Sequence, residues 1–263
     1  MLDILKDACI RVRESVKDMI GMKEAGEALG RGAGGDISRK IDIVAENVAI
    51  NTFKEAGLRC TVIAEEAGEV RLGDDDGYII LDAIDGTTNA IRGFPFTCCS
   101  IAYSSGYRFD IKYSAIIDLI NGDMYYSSKN NGAYLNGKRI NVKASSYIIG
   151  INLSGASNRV IDMVKPILNK SNHLRHLGAN ALELCFFANG LMDAYIDLRG
   201  KLRVTDLAAA YLIVNEAGGI IINEDGSMLD ASLSINERLS FIAAANRSIL
   251  EEIADDLNIR LKI

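Results

Sequence analysis

The chain has 263 residues, 49% hydrophobic and 24% charged, with a formal net charge of −6. That length admits one large domain or two of ordinary size, with enough apolar residues for a core that needs no staples. Lysine and arginine are scattered, the densest pairs being Arg39-Lys40 and Lys138-Arg139, which excludes a general nucleic-acid binder. The acidic balance would repel a phosphate ligand unless cations offset it. Five cysteines (Cys9, Cys60, Cys98, Cys99 and Cys185) follow neither zinc nor Cys-x-x-Cys spacing and read as buried free thiols of a reducing cytoplasm. The chain opens directly on an amphipathic helix, and no apolar run approaches the ~20 residues of a membrane span. A cytoplasmic location with no membrane partner is expected.

Residues 2–20 place Leu2, Leu5, Cys9, Ile10, Val12, Val16 and Ile20 roughly on one stripe, a surface helix lying on a core. The glycine cluster Gly30-Arg31-Gly32-Ala33-Gly34-Gly35 follows a helix instead of a strand, which argues against a dinucleotide loop and for a mobile loop edging a site. Helical spacing returns over Ile41–Phe53, and Thr61–Ala64 is a strand running into Glu65-Glu66. The triplet Asp74-Asp75-Asp76 reads as a solvated loop before the apolar run Tyr78–Leu81. Strands over Thr97–Tyr103 and Ile111–Asp118, with Met124-Tyr125-Tyr126 and Ala133-Tyr134-Leu135 around Asn130-Asn131-Gly132, make an antiparallel meander. Beyond 141–148 strands alternate with helices, the mark of an α/β layer. The expectation is an N-terminal α+β half over 1–145 and a C-terminal α/β half over 146–263, with a site between them.

The most telling stretch is Asp82-Ala83-Ile84-Asp85-Gly86-Thr87-Thr88-Asn89, directly after Tyr78–Leu81. Two carboxylates three residues apart at a strand end can converge on one hard cation, while the amides of Gly86, Thr87 and Thr88 point out of a glycine-hinged turn. A carboxylate pair beside free N–H groups suits Mg²⁺ and a phosphate together. An ordinary Asp-Gly turn fits the same residues. Glu65 also follows a strand, and if the two strands are neighbours its carboxylate joins the same edge while Glu66 points away. Asp206 opens a strongly helical run, where an acid also serves as a first-turn or capping residue. Asp36 lies in the glycine loop and Asp42 on the helix after it. His173 and His176 read as structural or as substrate rim, not as ligands.

These residues, with Thr205-Asp206, Glu216-Ala217-Gly218-Gly219, Gly93-Phe94-Pro95-Phe96 and Gly178-Ala179-Asn180, resemble the inositol monophosphatase superfamily over most of the chain. The nearest resemblance is to archaeal enzymes that hydrolyse both inositol monophosphate and fructose 1,6-bisphosphate. It implies an α/β (α+β) fold, a layered αβαβα sandwich, and a phosphatase with two or three Mg²⁺ per site, Mn²⁺ being an alternative ion. By motif, Glu65, Asp82 and the carbonyl of Ile84 would hold a first ion and Asp82, Asp85 and Asp206 a second. Thr87 and Glu65 would orient the attacking water, with Asp42 assisting, and the phosphate would rest on the amides of Gly86 and Thr87. The family usually has proline after the first Asp; Ala83 here frees one N–H and relaxes the turn without removing a ligand.

For the substrate, Arg199-Gly200-Lys201-Leu202-Arg203 lies between a strand and Asp206, with Arg175 and Asn180 nearby. The resemblance implies that Asp197 would grip ring hydroxyls, as an acidic residue does in inositol monophosphatases, whereas Arg199 resembles the archaeal bisphosphatase pattern, in which arginine takes a second, distal phosphate. Surface solvation is the simpler reading of these cations. The favoured substrate is a sugar bisphosphate with tolerance for inositol monophosphate. The alternatives are a dedicated inositol monophosphatase, an adenosine 3′,5′-bisphosphate phosphatase, or a regulatory interaction protein without catalysis. The resemblance further implies a homodimer.

Overall fold

The computed structural model describes residues 1–73, 77–145 and 147–263, so the acidic triplet Asp74-Asp75-Asp76 lies outside the described residues. The chain begins with α1 (Leu2–Val16), a 3-10 turn over Lys23–Gly26, the hairpin strands β1 (Ala28–Arg31) and β2 (Ile37–Arg39), and α2 (Lys40–Glu55). Next come β3 (Thr61–Ala64), β4 (Gly68–Arg71), β5 (Tyr78–Asp85), the short helix α3 (Thr87–Arg92), β6 (Cys98–Ser104), β7 (Ile111–Asp118), β8 (Met124–Ser128), β9 (Ala133–Leu135) and β10 (Lys138–Ile140). The remainder is β11 (Ile148–Ile151), α4 (Asn158–Lys170), β12 (His173–Arg175), α5 (Asn180–Ala188), β13 (Ala194–Leu202), α6 (Val204–Glu216), β14 (Ile220–Asn223), β15 (Leu239–Ala244) and α7 (Arg247–Asp256). Strands β3 to β10 form one sheet in the order β10-β9-β8-β7-β6-β5-β3-β4, and the last five strands form a second, β12-β11-β13-β15-β14.

The period-two alternation of the strands sorts side chains into separate cores. On β5, Ile79 and Leu81 join Leu5, Val12 and Phe53 of α1 and α2. Ile80, between them, faces the opposite way, toward α5 and α6. Those two helices also meet Tyr195 and Phe241 of the smaller sheet. They are therefore apolar nearly all round, and Ala208-Ala209-Ala210 keeps α6 slim between two sheets. On the far side, Ile149, Ile196 and Ile242 pack against Val164 of α4 and Leu250 and Ile253 of α7. The layers run helix, sheet, helix, sheet, helix, which is the expected αβαβα sandwich.

Several local expectations need correcting. Helix α1 stops at Val16, and Ile10 is 49% exposed instead of lying on the buried stripe. The stripe is Leu5, Ala8, Cys9, Val12 and Val16, and Ile10 falls one position off it. The glycine-rich stretch, expected as a loop edging a site, does edge the cleft: it is the turn of the β1–β2 hairpin, fastened to the strand end beyond β3 by Ala33 N–H to Glu66 O and Gly34 N–H to Glu65 O, both 2.9 Å. Strand β5 does not end at Leu81 but continues through Asp85.

That continuation shapes the site. Residues three apart on a regular strand point to opposite faces. Against β6, Asp82 pairs with Ser100 and Asp85 with Cys98, so three steps on β5 match two on its neighbour. This β-bulge brings both carboxylates to one side. Strand β3 runs parallel beside β5 with Ala64 opposite Leu81, which sets Glu65 next to Asp82.

Candidate active site

A cavity of about 470 Å³ opens where the bulged end of β5, the end of β3, the tip of the β1–β2 hairpin and the first turns of α2, α3 and α6 meet. Glu65, Asp82 and Asp206 each offer an oxygen to a cluster whose atoms lie within 4.8 Å of one another. Asp42, Ile84, Asp85, Gly86 and Thr87 line the same cavity.

Two helix starts deliver carboxylates by the same device. Asp42 is the third residue of α2 and accepts from the Arg39 N–H at 3.2 Å; Asp206 is the third of α6 and accepts from the Arg203 N–H at 3.1 Å. Capping thus fixes each acid at the cavity wall, and the first-turn capping reading of Asp206 holds. Asp42 Oδ1 receives the Thr87 hydroxyl at 3.1 Å, and that hydroxyl also lies 3.0 Å from Ile84 O. Asp85 is held from behind by the Ala181 N–H at 2.6 Å, at the start of α5.

The electrostatics are unfavourable without a cation. Burial, then the Asp206 charge, pushes Glu65 up to about 8, with Arg203 opposing. Burial and Asp206 raise Asp85 to about 8 against the amides of Ala181 and Asn180. Asp42 rises to about 7, through burial first and Glu66 after the opposing Thr87 bond. Asp82 lies well above the usual carboxylate range because it is buried and faces Glu65, Asp85 and Asp206. Buried carboxylates in mutual contact are costly unless protonated or neutralised. The converging donors are all oxygens, with no histidine or cysteine in the cluster, which fits a hard divalent cation better than zinc.

Beside the acids the chain turns sharply. Gly86 adopts a left-handed conformation (φ 86°, ψ 39°) that turns the chain from β5 into α3, whose first-turn amides have no intrahelical acceptor. A Cβ at Gly86 would lie 3.0 Å from Ala179 Cβ and 3.1 Å from Phe96 O. Gly86→Ala is expected to cost about 1–3 kcal/mol in urea unfolding through the positive φ and this crowding. It should also weaken inorganic phosphate binding, because the turn shifts.

The substrate-side candidates lie outside this cavity. Asp197 is buried and clasped by Arg199, with Nε donating to Oδ1 at 2.9 Å and Nη2 to Oδ2 at 2.6 Å; Arg199 Nη1 also donates to Ser154 O at 2.9 Å. Arg175 is exposed and bonds to its neighbour's carbonyl, Leu174 O. Asn180 accepts from Tyr195 OH at 2.6 Å and Asn152 Nδ2 at 2.9 Å. His176 is near them, 3.2 Å from Ser154 Oγ.

Glu66 was expected to face away, yet it lines the cavity and accepts from the Ser38 hydroxyl, because the chain bends after Ala64 instead of alternating as a strand. Arg203 is the residue the sequence reading undervalued: its Nη1 donates to Glu65 Oε1 at 2.6 Å and its Nη2 pairs with Asp36. The signal was present in the matching Arg-x-x-Asp at Arg39–Asp42 and Arg203–Asp206, which sets an arginine at the N-cap beside each inward acid.

Comparison with known proteins agrees with this geometry. The model of the inositol monophosphatase family matches residues 1–261. A fructose-1,6-bisphosphatase/inositol-1-monophosphatase of Methanothermobacter thermautotrophicus is 34% identical over 95% of this chain and 93% of that protein. Inositol monophosphatase 1 of Sus scrofa is 31% identical over 85% of this chain and 82% of its own length. The crystal structure of an inositol monophosphatase-fructose 1,6 bisphosphatase superposes with a TM-score of 0.87 at 28% identity, covering 97% of this chain and 98% of the other. By sequence and by fold, the chain belongs to the inositol monophosphatase family.

Proposed function

We propose that the protein is a Mg²⁺-dependent phosphatase that hydrolyses inositol and sugar phosphate monoesters, including fructose 1,6-bisphosphate, by direct attack of water. The observation that carries this reading is the meeting of Glu65, Asp82 and Asp206 within 4.8 Å beside the Gly86 turn. Glu65, Asp82 and the Ile84 carbonyl would hold one ion, and Asp82, Asp85 and Asp206 a second, Mn²⁺ substituting for Mg²⁺. Bound there, the ions supply positive charge that activates water and stabilises the departing oxygen.

The chain's own groups do the rest. The amides of Gly86 and Thr87 hold the phosphate oxygens and fix its orientation. Glu65 and the Thr87 hydroxyl position the water opposite the ester oxygen. As the water attacks phosphorus, its proton passes to Thr87 Oγ1 and the Thr87 proton to Asp42 Oδ1, 3.1 Å away. Because the Thr87 hydroxyl already donates to Asp42, this carboxylate is placed to take that proton. The P–O ester bond breaks, the alcohol oxygen takes a proton from solvent, and inorganic phosphate remains.

For substrate choice, Arg199 is the proposed reader, oriented by the buried Asp197, with Arg175 and Asn180 at the same edge. Asp197 holds Nε and Nη2 of Arg199 and Ser154 O takes Nη1, so the guanidinium is fixed in place and would meet a distal phosphate through the N–H bonds these contacts leave over. Arg199→Ala should then raise KM for fructose 1,6-bisphosphate at least ~10-fold while changing inositol 1-phosphate about twofold or less; equal losses would reject the assignment.

The test of function is Mg²⁺-dependent phosphate release from inositol 1-phosphate, fructose 1,6-bisphosphate and adenosine 3′,5′-bisphosphate. NADP belongs in the panel. A bifunctional NADP phosphatase/NAD kinase of Methanococcus maripaludis is 31% identical over 92% of this chain, which spans 46% of that protein. Release from the first two substrates, lost in EDTA, is expected; no release from any of the four would reject the reading. A homodimer is the proposed assembly, to be read from light scattering.

A further inference from the structure

Arg203 lines the cleft, and catalysis as derived above leaves it without a task. Two of its groups reach two separate acids of the cluster: the backbone N–H donates to Asp206 Oδ2 at 3.1 Å and Nη1 to Glu65 Oε1 at 2.6 Å. Nη2 pairs with Asp36 beside the hairpin turn. The Nε edge is buried without an acceptor and faces Gly34, where a Cβ would lie 3.2 Å away. A side chain at position 34 would crowd the guanidinium, which glycine lets the turn approach closely. β1 is exposed along its whole length, and the turn is otherwise tied down by the Ala33 and Gly34 amides on Glu66 O and Glu65 O.

We propose that Arg203 is a positioning residue, a tethered cation that keeps Glu65 and Asp206 together while the site lacks metal and competes with the incoming ion for Glu65. This rests on the metal-dependent reading above. The guanidinium sits on a carboxylate that the ion needs, so binding must draw Glu65 away from Arg203 and set two like charges close together. Because the same fork holds Asp36, loss of the Glu65 bond loosens the hairpin tip. Ion binding is thereby linked to the hairpin at the edge of the cleft, through one side chain that pairs with both Glu65 and Asp36. The arrangement also keeps the metal-free cluster from repelling itself apart.

Calorimetric titration with Mg²⁺ in the absence of substrate, joined to hydrogen exchange of residues 28–39, tests this on wild type, Arg203→Gln and Arg203→Lys. Arg203→Gln should bind Mg²⁺ about tenfold tighter than wild type, since a competing positive charge is gone. Its Ala33 and Gly34 amides should exchange fast with or without the ion, whereas in wild type Mg²⁺ should accelerate them. Arg203→Lys keeps the charge and loses the fork, so its Mg²⁺ affinity should stay within about threefold of wild type while the hairpin exchanges fast. A residue with only a structural role would give weaker Mg²⁺ binding in both variants, and that result overturns the proposal while leaving the phosphatase reading intact. Unchanged hairpin exchange in both variants overturns it as well. A wild type that takes up no Mg²⁺ at all sinks the metal reading and the proposal with it.

Discussion

Asp82→Asn is expected to lower Mg²⁺-dependent phosphate release by at least ~10³-fold while raising the melting temperature of the metal-free protein. Asp82 is 3% exposed, lies between Glu65 and Asp206, and is the one carboxylate assigned to both ions. Groups behind metal ligands typically cost ~10–100-fold when removed, so a shared ligand should cost more. Asparagine keeps the shape and an oxygen for the Ile84 N–H, which donates to Asp82 Oδ1 at 3.0 Å. Only the charge is lost. Without metal that charge is a liability: burial and three facing carboxylates hold Asp82 well above the ordinary range. The amide relieves that repulsion. Opposite signs in activity and stability therefore separate a lost ligand from a misfolded variant. Activity within tenfold of wild type, measured at saturating Mg²⁺, would reject the assignment of Asp82.

The same pair of effects explains which parts of this protein could be read before its fold was in hand. Layer order followed from chain order: the meander up to Ile140 and the strand–helix alternation from Ile148 each imply their own sheet. What joins them is not local. Ala208 and its neighbours look like any buried helix, and nothing in their spacing says that a sheet lies on each side. The octapeptide at 82–89 exposed the chemistry because Gly86 and two hydroxyl residues follow paired acids, an unusual conjunction in so short a span. Its geometry was misjudged, however. A turn was expected to gather Asp82 and Asp85, whereas a one-residue bulge against Ser100 and Cys98 does so. Bulges depend on the partner strand and leave little trace in the strand that carries them. The β4 strand escaped notice because Gly68–Arg71 offers one large apolar residue, Val70, and sits at the sheet edge. Arg203 shares the Arg-x-x-Asp pattern of Arg39–Asp42, but its partners Asp36 and Glu65 lie far off in sequence and no local pattern points to them.

Metal removal should make stability fall steeply as pH rises, the reverse of ordinary acid denaturation. In the metal-free fold Glu65 and Asp85 are raised to about 8 and Asp42 to about 7, from ordinary values of 4.5, 3.8 and 3.8. Above pH ~4 the unfolded chain gives up these protons while the fold keeps them, so the unfolded state binds fewer protons and unfolding becomes more favourable with pH. A single such group contributes about 1.4 kcal/mol per pH unit across its window. The loss should begin near pH ~4 and level off above pH ~8, where the folded groups too are ionised. EDTA-treated protein should therefore melt at progressively lower temperature from pH ~5 to ~8. Saturating Mg²⁺ should flatten the curve and raise it, by about 2.7 kcal/mol when the ion stands at 100 times its dissociation constant. Linkage fixes the companion result: at pH ~7 ion binding must expel protons, and Mg²⁺ affinity must climb with pH until about 8. Calorimetry in two buffers of different ionisation enthalpy counts those protons directly. A metal-free melting temperature that stays level across this range, with no protons released on Mg²⁺ binding, would mean that the acids of the cleft are already ionised and compensated by other groups of the chain. The cluster would then be a surface of fixed charge and not a cage for a divalent ion.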